Sequence, residues 1–292
     1  MKDDKHQVQV VVESGGGCRF NYLFTLILLV AGTLFQVNGQ CLENSTIFQN
    51  GERVVFDVYY KWGIIMAKGG TASITVKEAT YNNTPVWHTH LLISTAGMAD
   101  KFFKVRDTME NYITRTNPRL LFSTKRSDEG GYYQIDNMTY TYKDGKTHVN
   151  SFRQNRHTVK FDTTFVGGDC VLDLLAALTK ARSFNWQQLE IGMQYPLEVG
   201  MGNDMINVSY RYEGQQIVER DNIKYRTRLF VVDIFDEAFT ESKAAMEIWI
   251  GDDENQIPVR ARAKLKIGAM ELYYKSSQNL RHPLSCRVQM PK

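Results

Sequence analysis

From Arg53 onward apolar and polar residues alternate with a period of two, interrupted at short intervals by Gly, Asn, Asp and Pro. That is the signature of half-buried β-strands joined by tight turns. Arg53–Trp62 puts Phe56, Val58, Tyr60 and Trp62 on one face, and Gly63 marks a turn. After Gly69-Gly70, Ala72, Ile74 and Val76 oppose Thr71, Ser73, Thr75 and Lys77. In Val86–Ser94, Trp87, Leu91 and Ile93 face one way and His88 and His90 the other. Phe103, Val105, Asp107, Met109 and Ile113 share a face further on, so Asp107 points with the apolar residues. Asp144-Gly145 between alternating runs predicts a hairpin. Later, Ile206, Val208, Tyr210 and Tyr212 alternate with polar neighbours. Val259–Ile267 alternates most cleanly, with Val259, Ala261, Ala263, Leu265 and Ile267 against Arg260, Arg262, Lys264 and Lys266.

One stretch follows a different period. In about 170–183, Val171, Leu174, Leu175, Leu178 and Ala181 recur at helical spacing. Asp169 is placed to cap the first turn, and Lys180 and Arg182 lie near the negative end of the helix dipole. A solitary helix needs a sheet to cover. The fold class is therefore mainly β: roughly a dozen strands in antiparallel order, joined by short turns, with one amphipathic helix packed on them.

Residues 1–39 read as a targeting segment, with Lys2, Lys5 and Arg19 ahead of an apolar run from Tyr22 to Phe35 and small residues before Gln40. An uncleaved anchor is the alternative. Gln40 ahead of Cys41 breaks the pattern of a lipidated cysteine. The rest, 40–292, lacks a low-complexity linker and is expected to form a single domain with two β halves joined by the helix. Of 35 Lys plus Arg and 32 Asp plus Glu, residues 1–39 hold three of each, so the remainder keeps the net charge of +3. So mild a charge argues against nucleic-acid binding. Three cysteines follow the leader: Cys41, Cys170 and Cys286. Export predicts a disulfide. Because domain termini often lie close together, Cys41 with Cys286 is the expected pair and Cys170 stays reduced; three free thiols fit the sequence equally well.

Several segments in order resemble the bacterial domain of unknown function 3108 family, common in exported Bacteroidetes proteins. They are Tyr59-Tyr60-Lys61-Trp62-Gly63 with Gly69-Gly70-Thr71-Ala72, Phe102–Asp107, Glu129-Gly130-Gly131-Tyr132, Asp169-Cys170, and Trp249-Ile250 followed by Asp252-Asp253 and Ile257-Pro258-Val259. The resemblance implies an exported antiparallel β protein shaped as a half-open barrel or clam. It brings no activity and no catalytic residues.

The chain carries no nucleophile elbow, zinc-protease helix, phosphate loop or dinucleotide fingerprint, and no cofactor is called for. The leading expectation is a non-enzymatic protein of the cell envelope, periplasmic or outer-membrane-associated. It would bind a lipid, glycan or protein in a concave sheet, with contact to a membrane surface. Candidate binding residues are Asp107, a carboxylate on an apolar face, and the row Arg260, Arg262, Lys264 and Lys266, which could meet phosphates or be offset by Glu247 and Glu271 across the strands. The competing expectation is a hydrolase using Cys170 with His157 as its base, or a metal at His88 and His90. Asp252-Asp253-Glu254 lacks the spacing of a calcium loop and reads as a solvated turn.

Overall fold

The computed structural model describes residues 41–42, 47–236, 239–265 and 267–288. The leader assigned to 1–39 lies outside the described residues, as does Lys266. The chain divides between Asn38 and Gly39, and Gly39–Lys292 forms one compact unit.

Among the described residues, the first half of this unit forms β1 (Arg53–Trp62), β2 (Ile65–Tyr81), β3 (Thr84–Thr95), helix α1 (Gly97–Phe102), β4 (Arg106–Thr114), β5 (Leu120–Glu129), β6 (Tyr132–Lys143), β7 (Lys146–Asn155) and β8 (Val159–Gly167). The second half forms β9 (Val171–Leu172), helix α2 (Leu174–Ser183), β10 (Gln194–Met201), β11 (Asp204–Arg220), β12 (Ile223–Asp236), β13 (Phe239–Gly251), β14 (Pro258–Lys264), β15 (Ala269–Gln278) and β16 (Arg287–Val288).

Among the described residues sixteen strands join in one sheet, in the spatial order β8-β7-β6-β5-β4-β3-β2-β1-β15-β14-β13-β12-β11-β10-β9, with β16 beside β12. Each half is a meander, and the two meet where β1 pairs antiparallel with β15, from Arg53 opposite Gln278 to Lys61 opposite Ala269. The short parallel contact of β9 with β10 ends the path. Strands β8 and β9 follow one another in the chain, so the two edges of the sheet come together at Gly167-Gly168 and the barrel is nearly closed. The hairpins owe their tightness to residues that tolerate left-handed backbone angles: Asn82-Asn83, Asp144-Gly145 and Asp221-Asn222 have positive φ at both positions.

Period-two alternation points Val54, Phe56, Val76, Leu91, Ile113, Val208, Phe230 and Ile248 into the barrel, where all are buried. Helix α2 lies among them. It begins later than its sequence periodicity predicts, because residues 169–172 are otherwise engaged. Cys170 is bonded to Cys41, and Val171 and Leu172 pair with Glu198 and Val199. Asp173, not Asp169, is the N-cap, accepting from Ala176 N at 2.7 Å; Asp169 sits outside in an ion pair with Arg119. The short helix α1 is an element that the apolar pattern does not foretell.

The cysteine pairing also differs from expectation. Cys41 and Cys170, 129 residues apart, form the disulfide, and Cys286 is the buried free thiol. The tail explains why. It runs back over the outside of the second half, where Cys286 packs with Val218, Trp249 and Val259. There burial and the neighbouring Asp253 push its thiol pKa up. The lead-in instead crosses the barrel end next to the residues that precede α2. Strand β14 stops at Lys264, short of the predicted Ile267. A bulge opposite Trp249 turns Val259 outward while Ala261 and Ala263 keep facing in. The turn at Asp252–Asn255 is not simply solvated: Asp253 is buried and accepts from Asn255 N and Cys286 N, both at 3.0 Å.

Candidate functional site

Between α2 and the inner faces of both half-sheets lies a cavity of about 390 Å³. Its wall is built by alternation. Phe56 on β1, Ile74 on β2, Leu91 and Ile93 on β3 and Met109 on β4 come from the first half; Val208, Val232, Met246, Ala261 and Leu272 come from the second. Leu174 and Leu178 of α2 complete it. These two leucines are only half-buried, whereas Leu175, Ala176 and Ala181 on the other sides of the helix are fully packed. The apolar stripe read from the sequence is therefore split between core and cavity.

The cavity is stopped at one end and graded toward the other. At the stopped end the wall residues Phe48, Val54, Val76 and Tyr210 are buried; toward the far strand ends Ile93, Met109, Met201, Ala263 and Met270 are half-buried and Lys264 is exposed. The stopper is polar. Arg182, near the C-terminus of α2, makes two bonds to Glu52, at 2.7 and 3.1 Å, and also donates to the carbonyls of Ile47 and Asn255. Both side chains are buried. An ion pair so enclosed holds only when its hydrogen bonds are met from several directions, as they are here. At the N-terminus of α2, Asn111 donates to Asp173 at 3.1 Å. Burial raises the Asp173 pKa to about 6 despite the bonds from Ala176 N and Asn111. On the wall close by, Thr89 stands opposite Asn111 across β3 and β4. The Thr89 hydroxyl and the Asn111 Oδ1 are buried without a hydrogen-bond partner, a polar spot beside an apolar chamber.

The residues singled out in the sequence are scattered around this cavity. Asp107 does face inward and is buried, accepting from Asp128 N at 3.0 Å. Its neighbour is the Glu129 carboxyl, whose pKa is raised by the hydrogen bond with Asp107 and by burial. Arg260 and Arg262 face outward. Arg260 bonds Glu271 at 2.8 Å and stacks on Trp249, and Arg262 reaches Glu247 at 3.4 Å. Burial pushes the Glu271 carboxyl up, but bonds from Tyr273 and Arg260 outweigh it and hold the pKa below the usual value. Among the described residues of the row, Lys264 borders the cavity, at its exposed end.

His88 and His90 project from the outer face, His88 on Glu110 at 2.9 Å, and burial lowers the His90 pKa. Among the described residues no three His, Cys, Asp or Glu side chains converge as metal ligands. The Cys170–His157 pairing fails outright: Cys170 is in the disulfide and His157 lies in an exposed turn. What sequence reasoning missed is Arg182–Glu52 and Asp173–Asn111. Nothing local connects partners 130 and 62 residues apart.

Comparison with known proteins fits this architecture. The family described as "Protein of unknown function (DUF3108)" matches residues 55–275, well over half of the sequence. The chain belongs to the DUF3108 family. Among solved structures it is similar to a β-barrel-like protein of domain of unknown function DUF1849 from Brucella abortus. The TM-score is 0.55 at 10% identity, covering 79% of this chain and 98% of that one, a likeness of fold alone. No curated protein matches the chain. Among the described residues no helix is long and apolar enough to cross a membrane.

Proposed function

We propose that this DUF3108 protein is a non-enzymatic, extracytoplasmic protein of the cell envelope that holds one lipid-like molecule in its barrel. The observation that carries the reading is the cavity itself. Its size falls within the roughly 300–1,000 Å³ typical of small-molecule sites. Its wall is aliphatic and aromatic side chains with few polar groups. A glycan would leave its hydroxyls unsatisfied there, whereas an alkyl chain loses nothing. The polar spot at Thr89 and Asn111 suits one hydroxyl or amine of an amphipathic guest. The Cys41–Cys170 disulfide suits an oxidising compartment, as does the apolar leader.

Displacement of a fluorescent fatty acid from the purified full chain tests the reading. One probe is expected to bind per chain, and Ala261→Phe, which fills the wall, should weaken it strongly while leaving the melting temperature near its original value. Absence of probe binding, or equal binding by the filled variant, overturns it.

A further inference from the structure

The exposed end of the cavity carries a feature that a sealed carrier does not need. The hairpin of β1 and β2 projects there, and at its tip Trp62, Ile64 and Ile65 are 61%, 100% and 58% exposed. On one side of it stands the β14–β15 turn with Leu265 and Ile267, also exposed; the Tyr60 hydroxyl donates to the Ile267 carbonyl at 2.8 Å and fixes the two turns together. On its other side stands α1, joined to β2 by the bond from Ala96 N to the Gly69 carbonyl. Around α1, Met98, Phe102 and Phe103 are exposed, Phe102 at 82%. Three neighbouring turns thus offer large apolar side chains at one level, beside the half-buried mouth residues Ile93 and Met270. Scattered exposed apolar residues are ordinary; a group of this size at one end of a domain marks an interaction site.

The charges around the group select the occupant. Lys101 and Lys104 are exposed among these turns. The acids among these turns have partners: Asp100 is bound by Arg106 at 2.7 Å and by Thr95, Asp57 by Lys68 at 2.8 Å and Asp128 by Arg156 at 3.8 Å, and Glu129, paired with Val105, shares a hydrogen bond with Asp107 that raises its pKa. The rim therefore presents apolar tips interleaved with cations. A protein partner is best met by a continuous packed face; separate tips ringed by lysines match the headgroup and acyl boundary of an anionic bilayer.

We propose that this rim seats the protein on an anionic lipid surface, with Trp62, Ile64, Ile65 and Phe102 entering the headgroup–acyl boundary and Lys101 and Lys104 meeting lipid phosphates. Seating stands on the rim alone. Passage of a lipid between bilayer and barrel rests in addition on the cavity reading above.

The test uses the full chain with vesicles of phosphatidylcholine, alone or with phosphatidylglycerol added. All four tryptophans lie outside the apolar leader, so their emission reads the folded unit even if the leader also binds. Anionic vesicles are expected to shift the emission to the blue, and Trp62→Phe should abolish the shift without abolishing sedimentation with vesicles. The combined Ile64→Ser, Ile65→Ser and Phe102→Ser variant, altered only at exposed positions, should bind roughly tenfold more weakly or worse. Lys101→Gln with Lys104→Gln should weaken binding to anionic vesicles several-fold and leave neutral vesicles unaffected. The serine variant should still bind the fatty-acid probe, and Ala261→Phe should still bind vesicles, so failure of one reading is separable from failure of the other. Vesicle binding without any Trp62 shift, equal binding by the serine variant, or self-association through the rim in place of vesicle binding would each overturn the proposal.

Discussion

The two ends of the barrel are built on opposite principles. At the stopped end, groups distant in the chain are locked together by polar and covalent bonds in the interior: Cys41 to Cys170, Arg182 to Glu52, Asn111 to Asp173. At the rim, neighbouring turns leave apolar side chains in water and tie up the acids beside them. Burying charge is costly unless every bond is met, and exposing large apolar groups forgoes burial energy. Each end thus departs from the usual arrangement, in opposite senses. Rigidity and openness are thus separated along the barrel axis.

The contrast breaks most visibly at the ion pair. Glu52→Ala strands the Arg182 guanidinium in the interior and is expected to cost about 3–5 kcal/mol in urea unfolding. Replacing both partners by methionine should recover most of that loss; if the double variant is as unstable as the single, the pair does more than satisfy itself. Reducing Cys41–Cys170 should lower stability by about 2–5 kcal/mol, seen as a fall in melting temperature with dithiothreitol that a Cys286→Ala variant shares.

The Asp173 cap gives a smaller, signed effect. Its folded-state pKa, near 6, lies above the unfolded value of about 3.9. Between those values the folded protein keeps a proton that the unfolded chain releases, so stability falls as pH rises through about 4 to 6. Asp173→Asn keeps a good cap and removes the titration. Relative to the parent it should gain stability across that window, on the order of 2 kcal/mol before the lost helix-dipole interaction is subtracted, and level off above it. A difference that does not change with pH would show that Asp173 is not buried as described. The smallest effect is chemical. Cys286, buried and with its thiol pKa pushed up, should resist a thiol reagent in the folded protein and react on unfolding.

Much of this fold is written locally. Alternation in Arg53–Trp62 and Met205–Glu213, the Asp144-Gly145 turn and the apolar period around Leu174–Ala181 are each set by neighbours a few residues apart, and strand, hairpin and helix follow. Even the rim leaves a trace, since Trp62 continues the inward face of Phe56 and Ile64-Ile65-Met66 follows directly after Gly63. The family could be read from ordered motifs for the same reason. Other features have no local cause. Asp173 became the cap, and Leu174 and Leu178 faced a cavity, because Cys170 was drawn to Cys41 and Val171 to Glu198. Arg182 found Glu52 only because β1 closes against β15 and brings the lead-in over the barrel end. Which apolar faces meet one another and which enclose space depends on the path of the whole sheet, and spacing along a strand carries no information about what stands across from it.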